Sequence, residues 1–421
     1  MSHLPVFDVV IVGAGPAGST TALSLRQLAP DLRVCLLDAQ RFPRDKSCGD
    51  GLGPGVFQVL GELGLNGLVD DYPLVTNLVV SSSEGRRLSG RLPQIGAAAP
   101  SGRVVPRTVF DDRLRSAAIS RGVTAITARL TAAAFDSGSS LWELRCARSS
   151  DEGRAAAEDN GAGMAFRTRV LVGADGARST VRRLLGVPYN TPDHTAIAIR
   201  CYAERRDRLE TAPGLELHFI KTLLPGYGWV FPIDGRSANL GVGVDVPVYR
   251  KRRRRIEDLL EDFLQKWRGE APEAKPAEVA HRKTYILPYG SQLPALAHGT
   301  AALVGDAASM VNPLTGEGIY YGMVGARMLA AHLAEGVRQN TRVGAALARY
   351  EAEFRERFER HYRANARVKR VVASPTFTNI VVRACLRDRR ILAHMIDLVM
   401  GEGGRLGPGD ALRILATGWR A

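Results

Sequence analysis

The chain has 421 residues, 45% of them hydrophobic and 24% charged, with a formal net charge of +14. This balance excludes a disordered polymer and fits a folded protein of two domains with a helical appendix. Five scattered cysteines (Cys35, Cys48, Cys146, Cys201 and Cys385) form no CxxC pair, which argues against a disulfide framework or a structural metal site, so a reducing compartment and no metal are expected.

The positive charge favours anionic partners. No zinc-finger spacing, aromatic-rich RNA-binding signature or distinct helix-turn-helix is present, so nucleic acid is not expected. Lipid, phosphate or plain solvation of surface charge remain. Residues 6–18 are apolar but contain Asp8, lack a basic flank and run into a glycine motif, unlike a secretory leader. No stretch of about 18 apolar residues exists to span a bilayer. A cytoplasmic location is expected, with peripheral contact to the inner face of the cell membrane left open.

In chain order, residues 7–12 are a β-branched apolar run suited to a buried parallel strand. A helix is expected over 16–28, with Pro16 in its first turn, and a second strand over 33–37. Together they make a βαβ unit. Residues 77–103 read as short strands separated by Gly, Ser and Pro. Strand then helix return over 104–121, a polar hairpin tip over 147–165, and alternating strands over 196–246. Helical periodicity covers 256–267 and resumes from 316 onward.

Gly13-Ala14-Gly15-Pro16-Ala17-Gly18 follows the first strand and opens the first helix. Gly13 permits the tight turn, Gly15 lets backbone amides approach a pyrophosphate, and Gly18 allows helix and strand to pack closely. Asp38, at the end of the second strand, is placed to accept ribose hydroxyl hydrogen bonds. Alone, the motif points to a dinucleotide without choosing between NAD and FAD. Two later segments choose. Leu171-Val172-Gly173-Ala174-Asp175-Gly176 ends an apolar strand in a glycine-flanked aspartate. Ala302-Leu303-Val304-Gly305-Asp306-Ala307-Ala308 is followed by Asn312-Pro313-Leu314-Thr315-Gly316-Glu317-Gly318. Each by itself is an ordinary turn.

In this order and spacing the three segments resemble the class A flavoprotein monooxygenase superfold. The resemblance implies an α/β fold with a discontinuous Rossmann-type FAD domain of the aromatic-hydroxylase type (1–75, 103–185 and 285–340). It further implies an antiparallel-sheet substrate domain (76–102 and 186–284) and C-terminal helices (341–421). It implies that Asp306 binds the ribityl chain, that Gly316 and Gly318 approach the pyrimidine edge of the isoalloxazine with Pro313 beside them, and that Arg107 lies near the FAD phosphates. Ala17 and Asp175 belong to the same cofactor set.

Two further motifs resemble one branch of that superfold, the geranylgeranyl reductase family. Phe42-Pro43-Arg44-Asp45-Lys46-Ser47-Cys48-Gly49-Asp50-Gly51-Leu52 is similar to the family's cysteine–glycine segment, which implies that Cys48 and Gly49 lie against the flavin. Tyr227-Gly228-Trp229-Val230-Phe231-Pro232, then Gly241-Val242-Gly243, is similar to its YxWxFP and GxG motifs. Among members the chain most resembles the actinobacterial menaquinone reductases. The activity implied is saturation of an isoprenoid carbon–carbon double bond, in a geranylgeranyl or menaquinone side chain, by hydride transfer from reduced flavin and protonation. Cys48 is expected to deliver the proton or shape the flavin's reactive edge, and Asp50 is the acid if burial raises its pKa. Tyr227, Trp229 and Phe231 alternate along a strand, so their rings either line one face of a pocket or pack into the sheet core.

Gly241-Val242-Gly243 lacks a third glycine and a following helix, so no dedicated nicotinamide domain is read, and NAD(P)H or another external reductant is expected to dock transiently. A monooxygenase or epoxidase acting on a hydrophobic natural product is the competing reading. A halogenase is a weaker one, because Tyr227 and Phe231 replace two positions of its WxWxIP motif and no lysine is placed for its chemistry. Residues 250–255 (Arg-Lys-Arg-Arg-Arg-Arg) precede the helix over 256–267, where cations oppose the macrodipole. They read either as a solvated loop or as a patch for anionic lipid headgroups. The basic and apolar helices beyond Arg355 are expected either to rest on a membrane interface or to cap the substrate cavity.

Overall fold

The β-branched run forms β1 (Val6–Val12), buried on both faces between two parallel neighbours, β2 (Val34–Asp38) and β9 (Met164–Gly173). The computed structural model describes residues 4–92, 102–148, 163–204, 214–270, 278–338, 343–400 and 407–419. α1 (Pro16–Leu28) joins β1 to β2, as the proline and glycine signals lead one to expect. β7 (Thr124–Asp136) adds parallel to β2, and β16 (Ala301–Leu303) parallel to β9, with β15 (Ala297–His298) antiparallel at the edge. The far half of β7 and the near half of β9 are joined within the same sheet by β8 (Leu141–Arg148), antiparallel to both. Most of the expected hairpin tip over 147–165 lies outside the described residues.

α3 (Arg107–Ser120) and α7 (Ile319–Arg338) flank α1. A Cβ on Gly305 would stand 2.9 Å from that of Ala17, so a residue larger than alanine at 17 would lift the loop before α7 away from α1. Against α7 lies α8 (Val343–Val372), which buries Tyr350, Phe354, Phe358 and Tyr362, spaced by four residues as one helical stripe.

A second sheet has the order β14 (Glu278–Pro288), β10 (Thr195–Glu204), β13 (Ser237–Asp245), β12 (Tyr227–Pro232), β11 (Leu215–His218), β4 (Asn77–Ser81), β5 (Arg87–Arg91). It is antiparallel except where β4 meets β11 in parallel, because β4 enters from a distant part of the chain. One face is covered by α6 (Ile256–Glu270) through Ile256, Leu259, Leu260, Phe263, Leu264 and Trp267. The other faces a cavity whose far wall is α9 (Pro375–Arg387), α10 (Arg389–Met400) and α11 (Pro408–Gly418).

The basic run needs a correction. Residues 246–252 form α5 (Val246–Arg252), so Arg250, Lys251 and Arg252 sit in its last turn, where cations complement the macrodipole. Arg253 caps that helix in the left-handed region at φ 50°, Arg254 pairs with Asp262 at 2.7 Å, and Arg255 pairs with Glu257 at 3.4 Å. Local structure therefore accounts for much of this charge, contrary to the sequence argument. Further along, Arg355 pairs with Glu351 and Glu359, and Arg363 pairs with Glu359.

The glycines of β13 carry a testable consequence. A Cβ on Gly241 would stand 2.2 Å from Trp229 Cζ2 and 2.5 Å from the Ile199 carbonyl oxygen. Gly241→Ala is expected to cost about 1–3 kcal/mol in denaturant melts and to shift tryptophan fluorescence. Gly409→Ala, with open space around it, should leave both unchanged.

Candidate active site

The site begins at the N-terminus of α1. Gly13 has φ 103°, and a Cβ there would lie 2.3 Å from the Ala174 carbonyl oxygen; a Cβ on Gly18 would lie 1.8 Å from the Gly13 carbonyl oxygen. Gly15 caps the helix in extended conformation with no side-chain acceptor, which leaves first-turn amides open to an anion. Two guanidinium groups stand over it, Arg44 Nη2 3.4 Å and Arg107 Nη2 3.8 Å from where a Cβ would be. Both are held by Asp111, which accepts from Arg107 at 2.6 and 2.7 Å and pairs with Arg44 Nη1 at 3.0 Å. Two cations on one carboxylate, beside a helix N-terminus, leave net positive potential that fits a pyrophosphate.

Around this anion cradle stand two carboxylates. Asp38 accepts from Ala14 N at 2.8 Å and from Gln40 N at 2.9 Å, keeping lone pairs for hydroxyl donors. Asp306 accepts from Lys46 Nζ and the Tyr285 hydroxyl, each at 3.0 Å. Burial alone would raise Asp306, but Lys46, with Tyr285 and Arg107, outweighs it and holds the carboxyl below its ordinary range. Beyond Asp306 the loop 312–318 is shaped by Asn312, whose Oδ1 accepts from Leu314 N at 2.9 Å. Gly316 takes φ 71°, and a Cβ on Gly318 would stand 3.1 Å from Asp306 Oδ1. Asp175 lines the same cavity, yet its carboxylate accepts from the Ser179 hydroxyl and from Thr180 N (2.6 Å) and Val181 N (3.3 Å), holding the turn into the helix Thr180–Leu184. Its role is first to shape that turn.

The turn 48–51 is pressed onto β12. A Cβ on Gly49 would meet the Phe231 ring at 3.1 Å and Trp229 Nε1 at 3.4 Å. Tyr227, Trp229 and Phe231 share one face with successive ring centroids 6.4 Å apart, and all three line the cavity. Trp229 belongs equally to the core of the second sheet. Tyr227 donates to the Thr315 carbonyl, tying β12 to the loop 312–318. The Trp229 indole donates to Asn239 Oδ1 at 2.9 Å, and Asn239 Nδ2 donates to the Cys48 carbonyl and to Asp50 Oδ2, each at 2.8 Å.

Asp50 is fully buried with φ 62°. Its Oδ2 also accepts from the Tyr202 hydroxyl at 2.6 Å, while Oδ1 has no partner among the described residues. Burial pushes this carboxyl up to about 6 against the opposing hydrogen bonds of Tyr202 and Asn239. Cys48 is half-buried beside it, its thiol likewise pushed up by burial. These groups border one cavity of about 690 Å³, whose polar arm holds the glycine cradle and whose apolar arm runs past Leu217 and Leu287 to Val382, Leu392 and Ile396.

Sequence reasoning did not assign roles to Arg44, Lys46, Asp111, Tyr202, Tyr285 and Asn239. Arg44 and Lys46 lie inside the quoted cysteine–glycine segment. Asp111 stands four residues after Arg107, a helical ion-pair spacing that was a usable signal. Asn239 stands opposite Phe231 in the strand register, which only the sheet reveals.

A carboxyl raised on folding contributes stability that is present below its ordinary pKa and lost as pH rises through the folded value. Between about pH 4 and 6 the wild type should lose roughly 3 kcal/mol of unfolding free energy relative to Asp50→Asn. Chemical denaturation of both proteins across that range measures the difference.

Residues 6–365 match the model of the FAD binding domain family. A menaquinone reductase of Mycolicibacterium smegmatis is 30% identical over 416 residues, covering 94% of this chain and 91% of that one. A digeranylgeranylglycerophospholipid reductase of Methanocella arvoryzae is 28% identical, covering 90% of each chain. Among solved structures, a geranylgeranyl bacteriochlorophyll reductase-like protein of Thermoplasma acidophilum superposes with a TM-score of 0.76 at 20% identity, covering 99% of this chain and 97% of that one. The flavin-dependent brominase Bmp2 gives 0.73 at 19% identity, covering 98% of each. A glycine cradle, an open helix end, paired arginines and two hydroxyl-accepting carboxylates fit FAD, and the chain belongs to the FAD binding domain family as an FAD-dependent oxidoreductase of the geranylgeranyl reductase type.

Proposed function

We propose that this protein saturates a carbon–carbon double bond in an isoprenoid chain, with Asp50 as the proton donor. One observation carries the reading: the polar arm and the apolar arm are a single cavity, bordered by a buried carboxyl raised to about 6. The reductases of menaquinone and geranylgeranyl lipids among the relatives support it. The glycine cradle with Arg44, Arg107, Asp38 and Asp306 would hold FAD in the polar arm, where the cofactor, reduced by NAD(P)H or another external reductant that docks transiently, would supply the hydride.

The chain's own residues then have two tasks. An isolated alkene is barely polarised, so positioning and water exclusion supply much of the acceleration. Tyr227, Trp229 and Phe231 on one side, with Leu392 and Ile396 on the other, hold the chain in an apolar slot. The second task is the proton. As one alkene carbon takes the hydride, the other takes the proton from Asp50 Oδ1, and Tyr202 and Asn239 stabilise the carboxylate left behind. Cys48, kept neutral by burial, stands beside it and would shape the reactive edge of the bound flavin.

The apolar arm ends against helices whose outer faces expose Leu386, Leu412, Leu415 and Trp419 beside Arg389 and Arg390. Among the described residues no helix is long and apolar enough to cross a membrane. These helices are therefore read as resting on an anionic bilayer, from which the isoprenoid enters.

Anaerobic, dithionite-reduced holoenzyme offered a set of polyprenyl substrates should yield products heavier by one hydrogen pair. Hydroxylated products formed only with oxygen would overturn the reading in favour of a monooxygenase. Asp50→Asn should retain FAD and lower kcat by about 10²–10⁴. Cys48→Ala should also retain FAD and lose alkene reduction, and undiminished turnover there would remove the thiol from the mechanism. Anionic vesicles should co-sediment the wild type at low salt and release the double variant Leu412→Ser/Trp419→Ser. Equal recovery with neutral vesicles would refute the charge component.

A further inference from the structure

We infer that Lys369 and Tyr289, held from behind by Asp245, form a second polar subsite in the substrate cavity, which holds a neutral hydrogen-bond acceptor: the ring carbonyl oxygen of a prenylated quinone. This rests on the isoprenoid-reductase reading and narrows its substrate class. Lys369 lies in the last turn of α8, is only 7% exposed, and borders the cavity together with Tyr289. Its ammonium donates to Asp245 Oδ1 and to the Tyr289 hydroxyl oxygen, and that hydroxyl donates to the same carboxylate at 2.8 Å. The ammonium also stands over the Tyr289 ring, 4.1 Å from its centroid, at the lining of the cavity.

A strut between α8 and the end of β13 would not need these residues. Removing an ammonium and a carboxylate from water is costly, and packed apolar side chains hold two elements together as well or better. A lysine and a tyrosine hydroxyl held at the lining of an apolar cavity instead suit a ligand atom. Burial lowers the Lys369 pKa, against the opposing pull of Asp245, so its donors come at a further cost that a partner would offset.

The charge balance selects the chemistry of that partner. Lys369 and Asp245 cancel, so the subsite presents donors without net charge, which fits a carbonyl oxygen and does not fit a diphosphate. The cavity's net positive cluster is the Arg44–Asp111–Arg107 group, at the other arm. Position agrees. Gly290 N donates to the Val311 carbonyl at 2.8 Å, which sets Tyr289 directly behind the loop 312–318. A ring held there leaves its prenyl tail to run along Tyr227 and Trp229 towards α9 and α10.

The test is a binding titration of oxidised holoenzyme, followed by flavin absorbance, with a prenylated naphthoquinone, a polyprenol of equal chain length and geranylgeranyl diphosphate. The wild type should bind the quinone about tenfold more tightly than the polyprenol. Lys369→Met alone strands the Asp245 charge, so the double variant Asp245→Asn/Lys369→Met carries the test, with Tyr289→Phe as the second. Each should lose most of that margin while the polyprenol Kd and the FAD content stay put. A margin intact in both variants, or equal weakening of quinone and polyprenol, would show a structural strut and overturn the subsite. So would diphosphate binding that depends on Lys369. Quinone preference without alkene reduction would sink the functional reading alone, and alkene reduction without head preference would sink the subsite alone.

Discussion

The close seating of the turn 48–51 on the aromatic face of β12 is the contact on which the site depends. It joins the dinucleotide-binding sheet to the second sheet at the place where the two arms of the cavity meet. Glycine at 49 lets the turn sit close, since a Cβ there would stand 3.1 Å from the Phe231 ring and press on it, and glycine at 241 is required because Trp229 lies across β13 there. The seated indole then reaches Asn239, which in turn fixes the Cys48 carbonyl and the Asp50 carboxyl. Asp50 takes a left-handed conformation that costs a non-glycine residue on the order of 1 kcal/mol, offset here by its side-chain bonds and by Val105 N donating to its carbonyl at 2.9 Å. Backbone, ring and carboxyl are thus one unit.

Two buried carboxyls receive opposite treatment within that cavity. Asp306 faces a cation and stays ionised; Asp50 faces neutral donors and is raised. An ionised group suits the binding of polyol hydroxyls, and a raised one suits proton donation. Divergent environments of this kind separate a binding carboxylate from an acid without any change of residue type. Arg200, fully buried against the Tyr202 ring and paired with Asp45, pulls Asp50 down together with Arg107, but burial outweighs both.

What was legible in the sequence was whatever the backbone itself demands. Gly13 and Gly18 are where a turn or close approach admits nothing larger, and their spacing with β1 and α1 is local. The positioning residues were not legible in the same way. Asn239 and Tyr202 act on Asp50 from strands more than 150 positions away, and a lone Asn or Tyr in a strand carries no signal until the register is known. The short helix α5 was missed because the strand reading ran to Val246 and the segment 250–255 read only as a basic run. Pro247, in its first turn, was the available cue. Missing that helix reversed the electrostatic reading of the basic run.

The C-terminal helices are better understood as a wall than as an appendage. α10 approaches β5 closely only because Gly90 lacks a side chain: a Cβ there would stand 2.6 Å from Ile396 Cδ1. Ile380, Val382, Cys385 and Ile414 close over Leu88 from the same side, so the last helices bury their inner faces against the second sheet and complete the apolar arm. On the proposed reading, the bond to be reduced lies where the turn 48–51 meets β12. Which chain reaches that point is set by residues more than 300 positions later, so cofactor binding and substrate choice are able to vary independently along this sequence.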